Sequence, residues 1–208
     1  MTPTPSLTVS RTITPTPSSA AGYSDNFDSY TSGANLGGQG NWLTTLNDIL
    51  VVEAGGTNHT VGPNDAGLVC VSTYNGTFNN NQWAEVTVGA VGAGSQCIGV
   101  AVRLTGSTTT ACGYGYYATN NTQRLWRLTN GTKTNLGTNN FTALNVGDTL
   151  KLVITGSTLM CYFNGVLDTV IGSGGGYTTD TTYLTGKAGV CGYDTSTTTG
   201  DSWSAGDL

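Results

Sequence analysis

Carboxylates, imidazoles and thiols carry most acid–base, nucleophilic and metal chemistry, and this chain has few residues of these types. Its 12 acidic residues include only two glutamates, Glu53 and Glu85, and neither has another carboxylate two or four positions away. Glycoside cleavage needs two carboxyls about 5–10 Å apart across the scissile bond, and no strand-spaced pair of that kind is present. Glu85 lies in Trp83-Ala-Glu-Val-Thr87 and alternates with Ala84, Val86 and Val88, which predicts the polar face of a strand. The sole histidine, His59, sits in Gly55-Gly-Thr-Asn-His-Thr60, a loop composition. Neither a Gly-x-Ser-x-Gly elbow nor a phosphate-binding glycine loop occurs. The five cysteines (Cys70, Cys97, Cys112, Cys161, Cys191) are odd in number, widely spaced and without a Cys-x-x-Cys pair. That disfavours a zinc site or a disulfide framework, and the thiols are expected to pack as small buried apolar groups. The chain reads as non-enzymatic.

The elements that would position any site are set by an unusual composition. Only 9% of the 208 residues are charged, against about 25% in an ordinary soluble domain. With glycine counted and tyrosine left out, the apolar share is about 47%, a normal value. A core can therefore form, and Thr, Ser, Asn and Gly take the place of charge. Seven Lys+Arg and a net charge of −5 provide no basic footprint for nucleic acid. No apolar run approaches the length of a membrane-spanning helix. Thr, Asn and Gly are poor helix formers, so long helices are not expected. Asn-x-Ser/Thr sequences begin at Asn58, Asn75, Asn120, Asn130 and Asn140, no more than chance produces in such a chain.

Residues 1–22 differ from the rest. Thr2-Pro3-Thr4-Pro5-Ser6 recurs as Thr14-Pro15-Thr16-Pro17-Ser18 and encloses a stretch with Leu7, Val9 and Ile13 at odd positions. Alternating prolines favour extended polyproline II, and the middle stretch is suited to adding as a strand to a partner's sheet edge. The arm is expected to dock on another protein through Leu7, Val9 and Ile13. A basic segment followed by an apolar one is absent from the N-terminus, so cytosolic synthesis is expected.

From Tyr23 onward, short alternating runs are separated by Gly/Asn/Thr turns at roughly ten-residue spacing, the pattern of a β-sandwich or barrel. Strands are predicted at 25–30, 49–54, 67–74, 82–88, 97–104, 112–119, 124–129, 149–155, 158–163, 166–171, 186–193 and 201–205. Asn164-Gly165 and Asn130-Gly131 are predicted hairpin turns, since both central residues of a type I′ turn need positive φ. Ile98, Val100, Val102 and Leu104 alternate with Gly99, Ala101 and Arg103, which predicts one core face and one open face.

The order Gly99-Val-Ala-Val-Arg-Leu104, Gly113-Tyr-Gly-Tyr-Tyr117, Gln123-Arg-Leu-Trp-Arg-Leu-Thr-Asn-Gly131, Gly147-Asp-Thr-Leu-Lys-Leu-Val-Ile-Thr-Gly156, Met160-Cys-Tyr-Phe-Asn-Gly165, Gly186-Lys-Ala-Gly-Val190 and Asp201-Ser-Trp203 resembles the concanavalin A-like lectin/glucanase jelly roll in its laminin-G-like form. Asp25-Asn-Phe-Asp28 with Gly37-Gly-Gln-Gly-Asn-Trp42 resembles its opening. The resemblance covers residues 23–208 and implies an all-β, antiparallel two-sheet jelly-roll sandwich behind the extended arm. It also implies a structural calcium joining the first and last strands, for which Asp25, Asp28 and Asp201 are the candidate ligands. A lyase on a similar fold would need a Gln-x-His strand, which is absent.

Sugar recognition uses aromatic faces edged by polar groups. Tyr114 and Tyr116 share a strand face, Trp126 follows on the next strand, and Arg103 is expected on the open face of the preceding one. These four are the candidate glycan-binding residues, on the concave sheet, while Trp42, Trp83 and Trp203 are expected in the core or at its rim. Two functions follow as expectations. The first is a display protein on a virion surface, such as a bacteriophage capsid decoration or fibre component, held to a capsid protein by the arm and expected to be a homo-oligomer. The second is a carbohydrate-binding module or lectin for neutral glycans.

Overall fold

In a computed structural model, the described residues are 22–141, 143–172, 175–195 and 197–208. Leu7, Val9 and Ile13 of the arm lie outside them. Sixteen strands form two antiparallel sheets packed face to face as a jelly-roll sandwich. The nine-stranded sheet runs β13 (Val166–Leu167), β12 (Thr158–Phe163), β11 (Thr149–Thr155), β6 (Gln82–Ala90), β16 (Thr199–Asp207), β4 (Asn58–Pro63), β3 (Ile49–Gly55), with β1 (Tyr23–Asp25) on β16 and β14 (Tyr177–Thr179) on β12. The seven-stranded sheet runs β10 (Thr132–Asn140), β9 (Thr122–Thr129), β8 (Cys112–Ala118), β7 (Cys97–Thr105), β15 (Lys187–Tyr193), β5 (Val69–Tyr74), β2 (Trp42–Leu46). Among the described residues no helix is long and apolar enough to cross a membrane.

Alternation places the core. Val86, Val88, Leu150, Leu152, Ile154 and Trp203 face inward from one sheet, and Ile98, Val100, Val102, Leu125 and Val190 face them from the other. Burying each such side chain contributes about 1.5–3 kcal/mol. Trp42 and Trp203 meet at 4.8 Å between ring centroids, both buried. Cys70, Cys97, Cys161 and Cys191 are buried free thiols, and Cys112 is half-buried.

Both predicted hairpin turns form, with Asn130 and Gly131 at φ 49° and 74° and Asn164 and Gly165 at φ 50° and 75°. Two predicted strands are shorter than their patterns suggest. The first ends at Asp25, because Phe27 turns to φ 64° and its N–H bonds the Asp25 carboxylate at 2.8 Å. The stretch from Val166 stops at Leu167, because the Asp168 carboxylate accepts the N–H groups of Val170 and Ile171. The sequence pattern missed β2, β4, β10 and β14. His59 accordingly lies on β4, not in a loop, paired across from Glu53 on β3.

The seven-stranded sheet has a second cluster on its outer face, where Val71, Cys97, Ala101, Tyr117, Trp126 and Leu128 are all buried. The Trp126 indole lies on Gly115, where a Cβ would stand 2.0 Å from indole Cζ2. The sheet curls so that its two ends approach over this cluster. At the β9–β10 turn, a Cβ on Gly131 would lie 3.2 Å from the Thr108 carbonyl and 3.9 Å from Leu46 of β2. One end of the concave face is thereby closed.

Candidate functional site

The four residues expected to form an open aromatic patch do not form one. Tyr114 and Tyr116 point between the sheets and are fully buried. The Tyr114 hydroxyl donates to Asp180 Oδ1 at 2.8 Å and accepts the Tyr183 N–H at 3.0 Å, while that of Tyr116 donates to Gln123 at 2.7 Å. Trp126 is on the opposite face, covered in the outer cluster. Arg103 sits at a β-bulge with φ 52°, which breaks the alternation and turns its side chain inward. It is 1% exposed, and its guanidinium donates to the carbonyls of Asn80 (2.6 and 3.0 Å), Gly156 (2.6 Å) and Tyr183 (2.8 Å). These groups hold loops together and cannot touch a ligand.

Of the expected calcium ligands, Asp28 and Asp201 come together at Asn58 and Asp25 is engaged elsewhere. Asp25 accepts the Phe27 N–H, the Tyr30 hydroxyl and Trp42 Nε1 (2.8 Å), which leaves its carboxylate engaged with the protein. Asp28 accepts the His59 N–H at 2.9 Å and Asn26 Nδ2 at 2.7 Å. Asp28 and Asp201 flank the Asn58 side chain, whose amide nitrogen bridges them at 3.2 and 3.3 Å once turned toward them. Calcium takes 6–8 oxygens, and among the described residues no group of three His, Cys, Asp or Glu side chains converges. The triad does not fit the ion.

A groove of about 550 Å³ lies outside the nine-stranded sheet by Asp25, Tyr30, Glu85 and Ser202. Its carboxylates and Ser202 are paired within the protein: Asp25 as above, Glu85 with Lys151 at 3.6 Å, and Ser202 with Thr87 at 3.0 Å.

The open end of the concave face is different. A cleft of about 320 Å³ is bounded there by Tyr117 of β8, Arg124 of β9, Lys133 of β10, Tyr193 of β15, Ser95 and Asn121. Strand pairing explains the convergence, since Tyr117 is opposite Arg124 and Tyr193 opposite Cys97. Lys133 starts across from Leu128, and its ammonium reaches back to donate to the Tyr117 hydroxyl at 2.9 Å. The same ammonium stands 4.3 Å from the Tyr193 ring centroid and 5.1 Å from that of Tyr117, a cation–π arrangement. Burial pushes the Lys133 ammonium below its ordinary range. Burial also pushes the Tyr117 phenol up, with Cys97 adding to the rise and Arg124 opposing it. Arg124 and Asn121 are exposed at the mouth. Tyr193 is half-buried and forms an apolar wall beside these donors.

Tyr117 lies on the face of β8 opposite Tyr114 and Tyr116, and that face, not the one expected to be open, borders the cleft. Arg124, Lys133 and Tyr193 were missed. Arg124 was readable from its alternation with the flanking apolar residues. Lys133 was not, because β10 lacks an apolar period.

No protein-family model matches the chain, and no curated protein matches it. Solved structures do. A carbohydrate-binding module, CBM66, from Bacillus subtilis aligns with TM-score 0.58 and 12% identity over 84% of this chain and 97% of that one. The exoplasmic/lumenal domain of VIP36, in a Ca2+/Man3GlcNAc-bound form, aligns with TM-score 0.54 and 11% identity over 81% and 84%. A legume lectin-like domain from Entamoeba histolytica aligns with TM-score 0.50 and 10% identity over 81% and 90%. What this chain shares with these lectin and carbohydrate-binding domains is the two-sheet jelly-roll fold.

Proposed function

We propose that the protein is a non-catalytic carbohydrate-binding module whose ligand enters the cleft between Tyr117, Arg124, Lys133 and Tyr193. The observation that carries this reading is the cleft itself. Hydrogen-bond donors converge there beside a tyrosine wall on the concave face. Saccharides present hydroxyls at their edges and apolar C–H faces, and such a mixed lining suits both. Carbohydrate-binding domains among the solved structures of the same fold support it. A glycan array with wild-type protein and Tyr193→Ala tests it. Saturable binding that weakens at least ten-fold in the variant is expected, and no binding to any glycan overturns the proposal.

A display role on a virion surface is compatible with glycan binding and rests on a different observation, the paired Thr-Pro pentads flanking Leu7–Ile13. The arm would join a capsid protein by strand addition, in a homo-oligomeric assembly. Removing residues 1–20 should abolish co-sedimentation with particles while the sandwich stays folded, and unchanged co-sedimentation counts against the role.

A further inference from the structure

The basic residues can be accounted for one by one. Seven Lys+Arg are present against 12 Asp+Glu, and all but Arg11 lie among the described residues. Arg103 is consumed by backbone carbonyls. Arg127 pairs with Asp180 at 2.7 Å. Lys151 faces Glu85 and lies over the Trp83 ring at 4.1 Å. Lys187 donates to Asn75. Four described cations have no carboxylate partner, and two of them, Arg124 and Lys133, line the same cleft. No carboxylate lines it. The closest in sequence to its walls, Asp194, has both oxygens occupied, one by the N–H groups of Gly67 and Thr195 and the other by the Ser95 hydroxyl at 3.0 Å.

We propose that the occupant of this cleft is an acidic saccharide, a uronic or sialic-type sugar whose carboxylate is held between Arg124 and Lys133; this rests on the carbohydrate-binding reading above. A guanidinium and an ammonium converging on a site from adjacent strands complement a carboxylate by charge-assisted hydrogen bonds. The Lys133 ammonium is half-buried against the Tyr117 phenol and the Tyr117 and Tyr193 ring faces, and an anion would restore what its hydration shell loses. Asn121 and Ser95 then face the sugar hydroxyls, and Tyr193 the ring. Arg124 is exposed and can be altered without touching the core.

The test is calorimetric titration of the full chain with three matched ligands: a glucuronic acid disaccharide, its carboxyl-reduced neutral counterpart, and a 6-sulfated neutral disaccharide. Wild type and Arg124→Gln are compared at low and high salt. The proposal expects the uronate to bind at least ten-fold more tightly than the neutral sugar. Arg124→Gln and high salt should each erase most of that margin. Equal affinity for uronate and neutral sugar overturns the acidic-ligand inference and leaves the module reading standing. Preference for the sulfated sugar over the uronate overturns the carboxylate assignment. Binding to none of the three, together with an empty glycan array, removes both readings.

Discussion

Two arginines of this chain show how little a residue's type says about its use. Arg103 is sealed among carbonyls of three loops, while Arg124 is exposed at the mouth of the cleft. Arg103→Lys should lower the unfolding free energy by about 3 kcal/mol, since a single ammonium cannot span carbonyls set around a planar fork. Arg124→Gln should change it by no more than about 0.5 kcal/mol. Urea titrations of both variants check the contrast, and equal losses would refute it. Asp180 belongs with Arg103. Burial pushes its carboxyl up, but hydrogen bonds from Thr182, Tyr114 and Arg127 outweigh that and hold it below its ordinary range. Asp180→Ala strands Arg127 and the Tyr114 hydroxyl, and a loss of about 3–5 kcal/mol is expected in the same measurement. Neither role was legible in the sequence. The bulge that turns Arg103 inward and the Asp180–Arg127 contact 53 positions apart both depend on pairing between distant strands.

At the scale of elements, strands with a clear period of two and turns with Asn-Gly were legible, and polar edge strands were not. β11 and β12 have their predicted limits because Leu150, Leu152 and Ile154 alternate cleanly with outward residues. β10 pairs only with β9 and buries little, so its sequence, Thr-Lys-Thr-Asn-Leu-Gly-Thr-Asn-Asn, needs no apolar alternation. Only the Asn130-Gly131 turn announced a returning strand. Lys133, on that strand, was hidden for the same reason. The outer cluster of the seven-stranded sheet was hidden as well, since a sheet with two buried faces looks merely apolar. Gly115 is part of it, and Gly115→Ala would drive a methyl into the Trp126 indole. A loss of about 1–3 kcal/mol is expected. Trp126→Ala should cost about 3–5 kcal/mol by leaving a cavity. Thermal melts of the two variants decide whether this face is structural; unchanged melting of Trp126→Ala would return that residue to the list of ligand contacts.

For the molecule as a whole, low charge combined with buried phenols and thiols predicts sensitivity to alkali. Burial raises the Tyr114 phenol from its ordinary 10 to about 12 and pushes those of Tyr116 and Tyr117 upward. It also raises the thiols of Cys97, Cys161 and Cys191. A folded-state pKa above the unfolded one gives stability that is complete below the unfolded pKa and is lost as pH rises through the folded value. The unfolding free energy should therefore hold between pH 6 and about 8 and fall from about pH 9 upward. Lys133, pushed down by burial, acts oppositely just below its ordinary 10.5, one group against several. Urea midpoints measured from pH 7 to 11 test this, and a midpoint that holds or rises to pH 11 contradicts it.

By itself the sequence determined the all-β class, the hairpin turns, most strand positions, the buried thiols and the scarcity of catalytic groups. These are local properties, because pleat alternation and positive φ at a turn are decided within a few residues. Tertiary structure alone decided which face of β8 is buried, how a bulge redirects Arg103, and which cations line the cleft. Those outcomes depend on the strands and loops that come to lie alongside, as when Arg103 meets the Gly156 carbonyl 53 residues away. Thus Tyr114, Tyr116 and Trp126 became packing, and the cleft was left to Arg124, Lys133 and Tyr193, where a curling sheet stays open at one end.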